Sequence, residues 1–207
     1  METNPDQTTP AEAITTEVIA PETTTPIPLL ERWWRAWGEN IQILLLSLAL
    51  AFFIRTFVAE PRYIPSESMV PTLEIGDRLI VEKLSYYSHL PRRGDVVVFA
   101  PPPQLQELGY LEDQAFIKRV IGLSGDVIAV KNGRVSVNGE FISEPYIAEQ
   151  PNYLMSPMVI PAGQFFVMGD NRNNSNDSHI WGFLPKANII GHACFRFWPL
   201  ERFGGMR

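Results

Sequence analysis

The stretch FIKRVI, residues 116–121, is the most informative short segment of the chain. Read as a β-strand, it places Phe116, Lys118 and Val120 on one face. A lysine on an otherwise apolar face loses hydration, which lowers its pKa and prepares it to act as a base. The alternative is a lysine whose stem packs on the strand while its amine reaches water.

The sequence around this strand predicts a mainly β structure with antiparallel hairpins after residue 60. Asn132-Gly133 separates two apolar runs, and Asn-Gly accepts positive φ at both central positions of a tight hairpin. No helical period of three turns follows residue 60. The predicted strands are residues 95–99, 127–130, 134–137, 165–168 and 193–198.

Residues 41–58, IQILLLSLALAFFIRTFV, predict a single transmembrane helix. Eighteen helical residues rise about 27 Å, close to the roughly 30 Å of a hydrocarbon core. Arg55 lies near the end, where it can extend toward the headgroups. The alternative, a cleaved signal peptide, is disfavoured because Phe57 would occupy the −3 position before an exit at Ala59, where a small residue is needed.

The segment before this helix divides into two parts. Residues 1–28 hold eight threonines, five prolines, five acids and no lysine or arginine, which predicts a disordered acidic tail. Residues 29–40 are rich in tryptophan and arginine and predict an amphipathic juxtamembrane segment, with a helix docked on a core as the alternative. Arg32 and Arg35 before the span, against Arg62 after it, weakly favour a cytoplasmic N-terminus.

Charge and cysteine content exclude several classes of protein. The net charge is −6, and the tail supplies −5 of it, so the remainder is nearly neutral and lacks a basic nucleic-acid surface. Cys194 is the single cysteine, which excludes an intrachain disulfide framework. With three histidines and no HExxH motif, neither a metal nor another cofactor is expected.

Two serines beyond the membrane exit are candidate nucleophiles. Ser66 and Ser68 lie in PSESMVPTL, residues 65–73, which could also be a polar linking loop. A nucleophilic serine needs a base, and the GxSxG elbow of histidine-dependent hydrolases is absent. Of the four lysines, Lys131 and Lys186 lie in polar segments and Lys83 is ambiguous, so Lys118 is the best candidate.

A third stretch, GDNRNNSNDSHIWG at residues 169–182, is dense in oxygen-bearing side chains. The calcium loop of an EF-hand is excluded because Arg172 and Trp181 occupy its third and twelfth positions. A rigid loop with Asx turns that positions Ser175 and Asp177 fits the pattern better.

Together these segments resemble type I signal peptidases, membrane-bound serine proteases that cut signal peptides from exported preproteins. The resemblance covers most of residues 31–198. It comprises four motifs in order behind one membrane span: residues 65–73, 93–99, 116–122 and 169–183. A related serine–lysine protease, such as a pilin maturase, and a membrane-tethered β adaptor without catalysis are the alternatives.

The resemblance implies a role for each matching residue. Ser68 would be the nucleophile and Lys118 the general base. Ser66 would contribute its hydroxyl to an oxyanion hole beside the backbone N–H of Ser68. Ser175 would hydrogen-bond and orient the lysine. As structural support, Asp177 would pair with Arg119.

The chain departs from the family's pattern at two positions. Glu67 stands where the family usually has a smaller residue, and we expect its side chain to face solvent. His179 stands where some members carry a basic partner for the aspartate, which would leave Arg119 as the partner of Asp177.

The resemblance also implies an architecture and a substrate. A mostly antiparallel β catalytic domain would span residues 60–207, with a small β-hairpin insertion at about 127–160. It would cut after small-x-small (Ala-x-Ala) sites, with residues 62–66 and 115–117 lining the pockets.

The implied location is the bacterial cytoplasmic (inner) membrane, with the catalytic domain on the exported side. An internal membrane such as a thylakoid is the alternative. Partners would be preprotein signal peptides, the lipid bilayer and the secretion translocon, without nucleic acid. Membrane contact and core packing explain Phe195, Phe197 and Trp198 equally well.

Overall fold

The structure, a computed structural model, describes the backbone of residues 29–206 and the side chains of residues 37–206 except residue 39. The predicted acidic tail, residues 1–28, lies outside the described residues. So do most of the side chains of the predicted juxtamembrane segment, although Trp37 is described and is exposed.

An apolar helix forms the N-terminal part of the described chain. Helix α1 (Leu29–Phe53) continues into one π-helical turn, Ile54–Val58. The stretch Asn40–Val58 is long and apolar enough to cross a membrane, and its side chains are exposed rather than buried in a protein core. These bounds agree with the predicted span.

The chain after this helix is mainly β, as the sequence predicts. Its strands are β1 (Ala59–Tyr63), β2 (Arg78–Glu82), β3 (Val96–Phe99), β4 (Phe116–Gly122), β5 (Val127–Lys131), β6 (Arg134–Val137), β7 (Glu140–Phe141), β8 (Met155–Val159), β9 (Gln164–Met168), β10 (Leu184–Pro185), β11 (Ile189–Trp198) and β12 (Gly204–Gly205). Short helices are α2 (Ser85–Ser88), α3 (Pro103–Glu107) and α4 (Ser178–Trp181), with 3-10 turns at Lys186–Asn188 and Leu200–Arg202.

The larger sheet has the strand order β1-β2-β11-β3-β4-β9-β10, with β12 added beside β11, and its pairs are antiparallel. Its central strand β3 is buried on both faces. Val96 and Val98 contribute to one apolar cluster, while Val97 and Phe99 contribute to another. This burial explains why the sequence there is a continuous apolar run rather than an alternating one.

A second antiparallel sheet, ordered β7-β6-β5-β8, occupies residues 127–159, the segment predicted as a small hairpin insertion. The hairpin turn contains Asn132 and Gly133 with φ of 54° and 69°, as the Asn-Gly signal predicts. Ile128 and Val130 of this sheet pack in one cluster with Phe166 of β9.

Arginines near the end of the chain hold the loop that follows the two serines. Arg196 of β11 donates to the carbonyl oxygen of Thr72 at 2.8 Å and to the Asp77 carboxylate at 3.3 Å. Arg202 donates to the carbonyl oxygen of Pro71 at 3.2 Å. The described fold therefore fixes residues 71–77 against β11.

The aromatic residues at the end of β11 divide between packing and exposure. Phe195 and Phe197 are half-buried, and Phe195 stacks edge-on against Phe203 with ring centroids 4.7 Å apart. Trp198 is 49% exposed. Packing therefore accounts for Phe195, while a membrane contact of Trp198 stays a prediction.

Candidate active site

Ser68 and Lys118, fifty positions apart, meet in the interior of the described structure. The Nζ atom of Lys118 lies 2.7 Å from Oγ of Ser68 and donates a hydrogen bond to it. Nζ also donates to the carbonyl oxygen of Ile117 at 3.0 Å. Both oxygen partners of the amine are therefore uncharged. Because Ser68 and Lys118 are buried, the amine has little contact with water.

Burial lowers the pKa of Lys118 from 10.5 to about 8. The carboxylates of Asp177 and Asp170 act in the opposite direction from a distance. Among the described side chains, those of residues 37–38 and 40–206, no carboxylate lies close enough to Nζ to form an ion pair. A pKa near 8 leaves about a tenth of the amine neutral at pH 7, which is enough to supply a base.

The other lysines are in environments unsuited to this role. Lys83 forms an ion pair with Glu60 at 2.9 Å and donates to the carbonyl oxygen of Thr56 at 3.2 Å. Lys131 and Lys186 are exposed, as the sequence predicts. Cys194 is no better placed to act as a nucleophile, because burial raises the pKa of its thiol.

Ser66 stands at the mouth of the site. Its Oγ lies 3.3 Å from Oγ of Ser68, and the residue is exposed. The serines open onto a cavity of about 290 Å³. Its lining consists of Ser66, Glu67, Ser68, Phe116, Lys118, Asn174 and Asn176. Of the segments predicted to line pockets, 62–66 contributes Ser66 and 115–117 contributes Phe116.

The oxygen-rich loop after β9, residues 169–182, packs directly against Ser68. The backbone N–H of Asn171 donates to the carbonyl oxygen of Ser68 at 3.1 Å. Gly169 permits this approach, because a Cβ there would collide with the carbonyl oxygen of Ser68 and with Oγ of Ser175. Glycine is therefore required at 169 by close packing.

Ser175 reaches the site, but not with the predicted contact. Its Oγ is buried and makes no hydrogen bond within the described part of the chain. The predicted hydrogen bond from Ser175 to Lys118 is therefore wrong for this structure. The Lys118 amine is directed instead to Ser68 and to the carbonyl oxygen of Ile117.

The predicted pairing of Arg119 with Asp177 is also wrong. Arg119 forms a bidentate ion pair with Asp170, at 2.8 Å from Nε and 2.7 Å from the guanidinium terminus. The strand register explains this choice, since Arg119 stands opposite Met168 of β9 and Asp170 follows two residues later. The pair is almost wholly buried.

Asp177 has a different set of partners, all within its own loop. It accepts hydrogen bonds from the backbone N–H of Gly169 at 2.8 Å and from Nδ1 of His179 at 2.7 Å. It also caps α4 by accepting from the backbone N–H of His179 at 3.1 Å. An aspartate immediately before a short helix is a recognisable N-cap signal, and it could have identified this role from the sequence.

Sequence reasoning missed a second set of contacts that supports this loop. Arg172 binds Glu144 through two hydrogen bonds of 2.8 and 2.7 Å. The Arg119 guanidinium lies 4.1 Å from the ring centre of Tyr146. Glu144 and Tyr146 come from the segment after β7, so the region of the second sheet braces the loop that contacts Ser68. These contacts join residues about 28 positions apart, and no local sequence pattern predicts them.

Comparison with known proteins gives the class of enzyme. A family model described as "Signal peptidase, peptidase S26" matches residues 37–198. The match includes residues 65–73, 116–122 and 169–183, which contain the two serines, Lys118 and the loop after β9. Members of this family are serine peptidases, which hydrolyse peptide bonds. Because most of the chain matches, the chain belongs to the signal peptidase family S26.

Individual relatives agree with this family. A "Probable signal peptidase I-1" of Synechocystis sp. is 59% identical over 171 residues, which cover 83% of this chain and 87% of that protein. A "Signal peptidase I" of Leptolyngbya laminosa is 56% identical over 166 residues, covering 80% and 82%. A "Probable thylakoidal processing peptidase 2, chloroplastic" of Arabidopsis thaliana is 45% identical over 162 residues, covering 78% and 44%. The function that these findings support is that of signal peptidase I, the processing of preprotein signal peptides.

Proposed function

We propose that this chain is a membrane-bound signal peptidase I that cuts preproteins after small-x-small (Ala-x-Ala) sites with Ser68 as nucleophile and Lys118 as general base. The observation that carries the proposal is the buried 2.7 Å contact between Nζ of Lys118 and Oγ of Ser68. A nucleophilic serine requires a base within hydrogen-bonding reach, and this amine is both close and incompletely protonated.

The first half of the reaction forms an acyl-enzyme. The neutral amine of Lys118 takes the proton of the Ser68 hydroxyl as Oγ attacks the scissile carbonyl carbon. The resulting tetrahedral intermediate collapses when the Lys118 ammonium gives that proton to the nitrogen of the leaving peptide. The C–N bond breaks, the mature protein leaves as an amine, and the signal peptide remains as an ester on Ser68.

The second half regenerates the enzyme. Lys118, neutral again, takes a proton from a water molecule that attacks the ester carbonyl. The second tetrahedral intermediate collapses with transfer of the proton from Lys118 back to Oγ of Ser68. The signal peptide then leaves with a free carboxyl group. One lysine thus serves as base and acid in both halves.

The negative charge on each tetrahedral intermediate needs hydrogen-bond donors. In this proposal the Ser66 hydroxyl and the backbone N–H of Ser68 provide them. The 3.3 Å separation of the two serine hydroxyl oxygens supports the role of Ser66, because the attacked carbonyl must lie next to Oγ of Ser68.

The substrate would bind as an extended strand beside β4. Residues 116–118 pair with β3 on one side, whereas pairing with β9 begins at Arg119. The open edge next to Lys118 can therefore accept main-chain hydrogen bonds from a peptide. The cavity of about 290 Å³ at Ser68 supports a preference for small side chains before the cut.

The membrane assignment rests on the helix and on the relatives. The apolar stretch Asn40–Val58 would anchor the enzyme in the bilayer, with the β domain on the exported side. The cyanobacterial and thylakoidal relatives support either the cytoplasmic membrane or a thylakoid membrane as its location. A translocon that delivers preproteins to this face would be the partner.

The test is cleavage of a preprotein with an Ala-x-Ala site by the detergent-solubilised full-length protein, compared with Ser68→Ala. We expect cleavage directly after the site by the wild type and none by the variant. Equal cleavage by both would contradict Ser68 as nucleophile. Absence of cleavage by a folded wild type would support the tethered adaptor instead.

A further inference from the structure

Glu67 brings a negative charge to the cavity at Ser68. The proposed reaction does not use this charge. Glu67 is one of the seven residues that line the cavity, and among them only Glu67 and Lys118 are ionisable. Its side chain is exposed, as expected from the sequence. The carboxylate therefore faces the space through which a peptide must pass to reach Ser68.

The backbone around Glu67 is held by hydrogen bonds, so the point from which its side chain extends is fixed. The carbonyl oxygen of Glu67 accepts hydrogen bonds from Nδ2 of Asn171 at 3.2 Å and from the backbone N–H of Val70 at 3.0 Å. The next carbonyl, that of Ser68, accepts from the backbone N–H of Asn171 at 3.1 Å. The Cα of Glu67 is thus fixed one residue from the nucleophile.

No cation of the described chain neutralises this carboxylate. Within the described residues, its one hydrogen bond is a long contact of 3.5 Å from Nδ2 of Asn174, a neutral amide. Within residues 37–206, no lysine, arginine or histidine lies within ion-pair distance of it. Glu67 therefore presents a carboxylate without an ion-pair partner at the mouth of the cavity.

We propose that Glu67 is a specificity-determining residue that favours substrates with a basic side chain within two residues of the scissile bond and disfavours acidic ones there. This inference rests on the proposed function, since it takes Ser68 to mark the point of cleavage. Small residues would occupy the first and third positions before the cut. A charged side chain near Glu67 would then belong to the second position before the cut or to the first two after it.

The expected preference is moderate because the carboxylate is exposed. Two unit charges about 6 Å apart in a largely aqueous setting interact weakly. Replacing a substrate lysine by glutamate, however, changes an attraction to Glu67 into a repulsion of similar size, so the difference between the two substrates is twice the single interaction. We expect a lysine substrate to exceed a glutamate substrate about tenfold in kcat/KM at low salt. Because exposed charges are screened, the ratio should fall as ionic strength increases.

The experiment uses the full-length enzyme in neutral detergent with one peptide carrying an Ala-x-Ala site. Lysine, glutamine or glutamate is placed in turn at the second position before the cut and at the first and second after it. Wild type should show the lysine-over-glutamate preference at one or more of these positions. Glu67→Gln should reduce that ratio to near one, and Glu67→Lys should reverse it.

Two controls separate this effect from others. Glu140→Gln removes an exposed carboxylate of β7, so it makes the same change in net charge outside the cavity lining and should keep the wild-type ratio. The charges that act on Lys118 are those of Asp177 and Asp170, so the acid limb of the pH profile should stay in place in Glu67→Gln.

The outcomes are distinct. A ratio that Glu67→Gln leaves unchanged at all three positions, while the glutamine peptide is still cleaved, overturns the role of Glu67 and leaves the proposed function intact. Failure of the folded wild type to cleave any peptide overturns both.

Discussion

Lys118 and Arg119 are consecutive buried basic residues on opposite faces of β4, and they differ in their partners: Arg119 has a carboxylate counterion and Lys118 has none. Arg119 is matched by Asp170 in a bidentate ion pair and covered by the ring of Tyr146. Lys118 has a serine hydroxyl and a backbone carbonyl as partners, and burial lowers its pKa to about 8.

The difference lies in the counterion. A buried cation either receives a carboxylate and stays charged, or receives none and becomes easier to deprotonate. On the Arg119 face the charge holds β4 to the loop after β9. On the Lys118 face no carboxylate pairs with the amine, which favours its neutral form and the proposed role as a base. One strand thus supports a structural site and a candidate chemical site.

The largest effect is expected from Lys118→Arg, which keeps a cationic side chain on that face but removes the proposed base. A guanidinium stays protonated at any working pH, so cleavage should fall by about 10⁴-fold. The measurement is single-turnover cleavage of the Ala-x-Ala preprotein. Lys83→Arg, which alters a lysine outside the site, is the matched control and should remain active. Near-normal cleavage by Lys118→Arg would remove Lys118 as base.

On the opposite face, Asp170→Ala should lower the free energy of unfolding by about 3–5 kcal/mol, because it leaves Arg119 buried without its counterion. Denaturant unfolding in detergent measures the change. The double variant Arg119→Met, Asp170→Leu removes both charges and should recover most of the lost stability. If the double variant were as unstable as Asp170→Ala, the ion pair would not be the reason for the loss.

Ser66→Ala tests the proposed oxyanion contact beside Ser68 and leaves Lys118 unchanged. Loss of one oxyanion donor should reduce kcat roughly ten- to a thousandfold with little change in KM. Ser66→Thr, which retains a hydroxyl, should recover part of the rate. An unchanged kcat in Ser66→Ala would assign the oxyanion contact to another group.

The smallest effect concerns stability and follows from the pKa of Lys118. The folded value of about 8 lies below the ordinary 10.5, so between these pH values the unfolded chain binds more protons and stability rises with pH. The cost of burying the lysine is therefore fully present below pH 8. Lys118→Met should be more stable than wild type at pH 7 by up to roughly 3 kcal/mol, with the advantage shrinking toward pH 10.5.

Thermal unfolding of both proteins across this pH range measures that difference. Lys131→Met, at an exposed position, should show no comparable pH-dependent gain. An advantage that grows above pH 8 would contradict a lowered pKa for Lys118.

The sequence was a good guide wherever the information was local. Alternation in residues 116–121 identified Lys118 as a lysine on an apolar face, and Asn132-Gly133 identified a hairpin. The apolar run 41–58 agrees to within one residue with the apolar stretch Asn40–Val58, whereas helix α1 itself already begins at Leu29. Each of these signals depends on a backbone period or a turn conformation, which neighbouring residues determine.

Partner choice between distant charges was less predictable. Asp170 and Asp177 lie in one loop and are both acidic, so composition could not say which would meet Arg119. The register of β4 against β9 decides it, and register is a property of the folded sheet. The pairing of Arg172 with Glu144 likewise depends on how the segment after β7 packs on the loop.

In the proposed reaction Lys118 acts as a base because burial without a counterion leaves it partly neutral. The most direct test of this role is the pH dependence of kcat/KM for cleavage of the Ala-x-Ala substrate by the full-length enzyme. We predict a rise of tenfold per pH unit that levels off at an apparent pKa of about 8. A rise that continues to the ordinary lysine value of 10.5, or a profile flat from pH 6 to 9, would contradict the account.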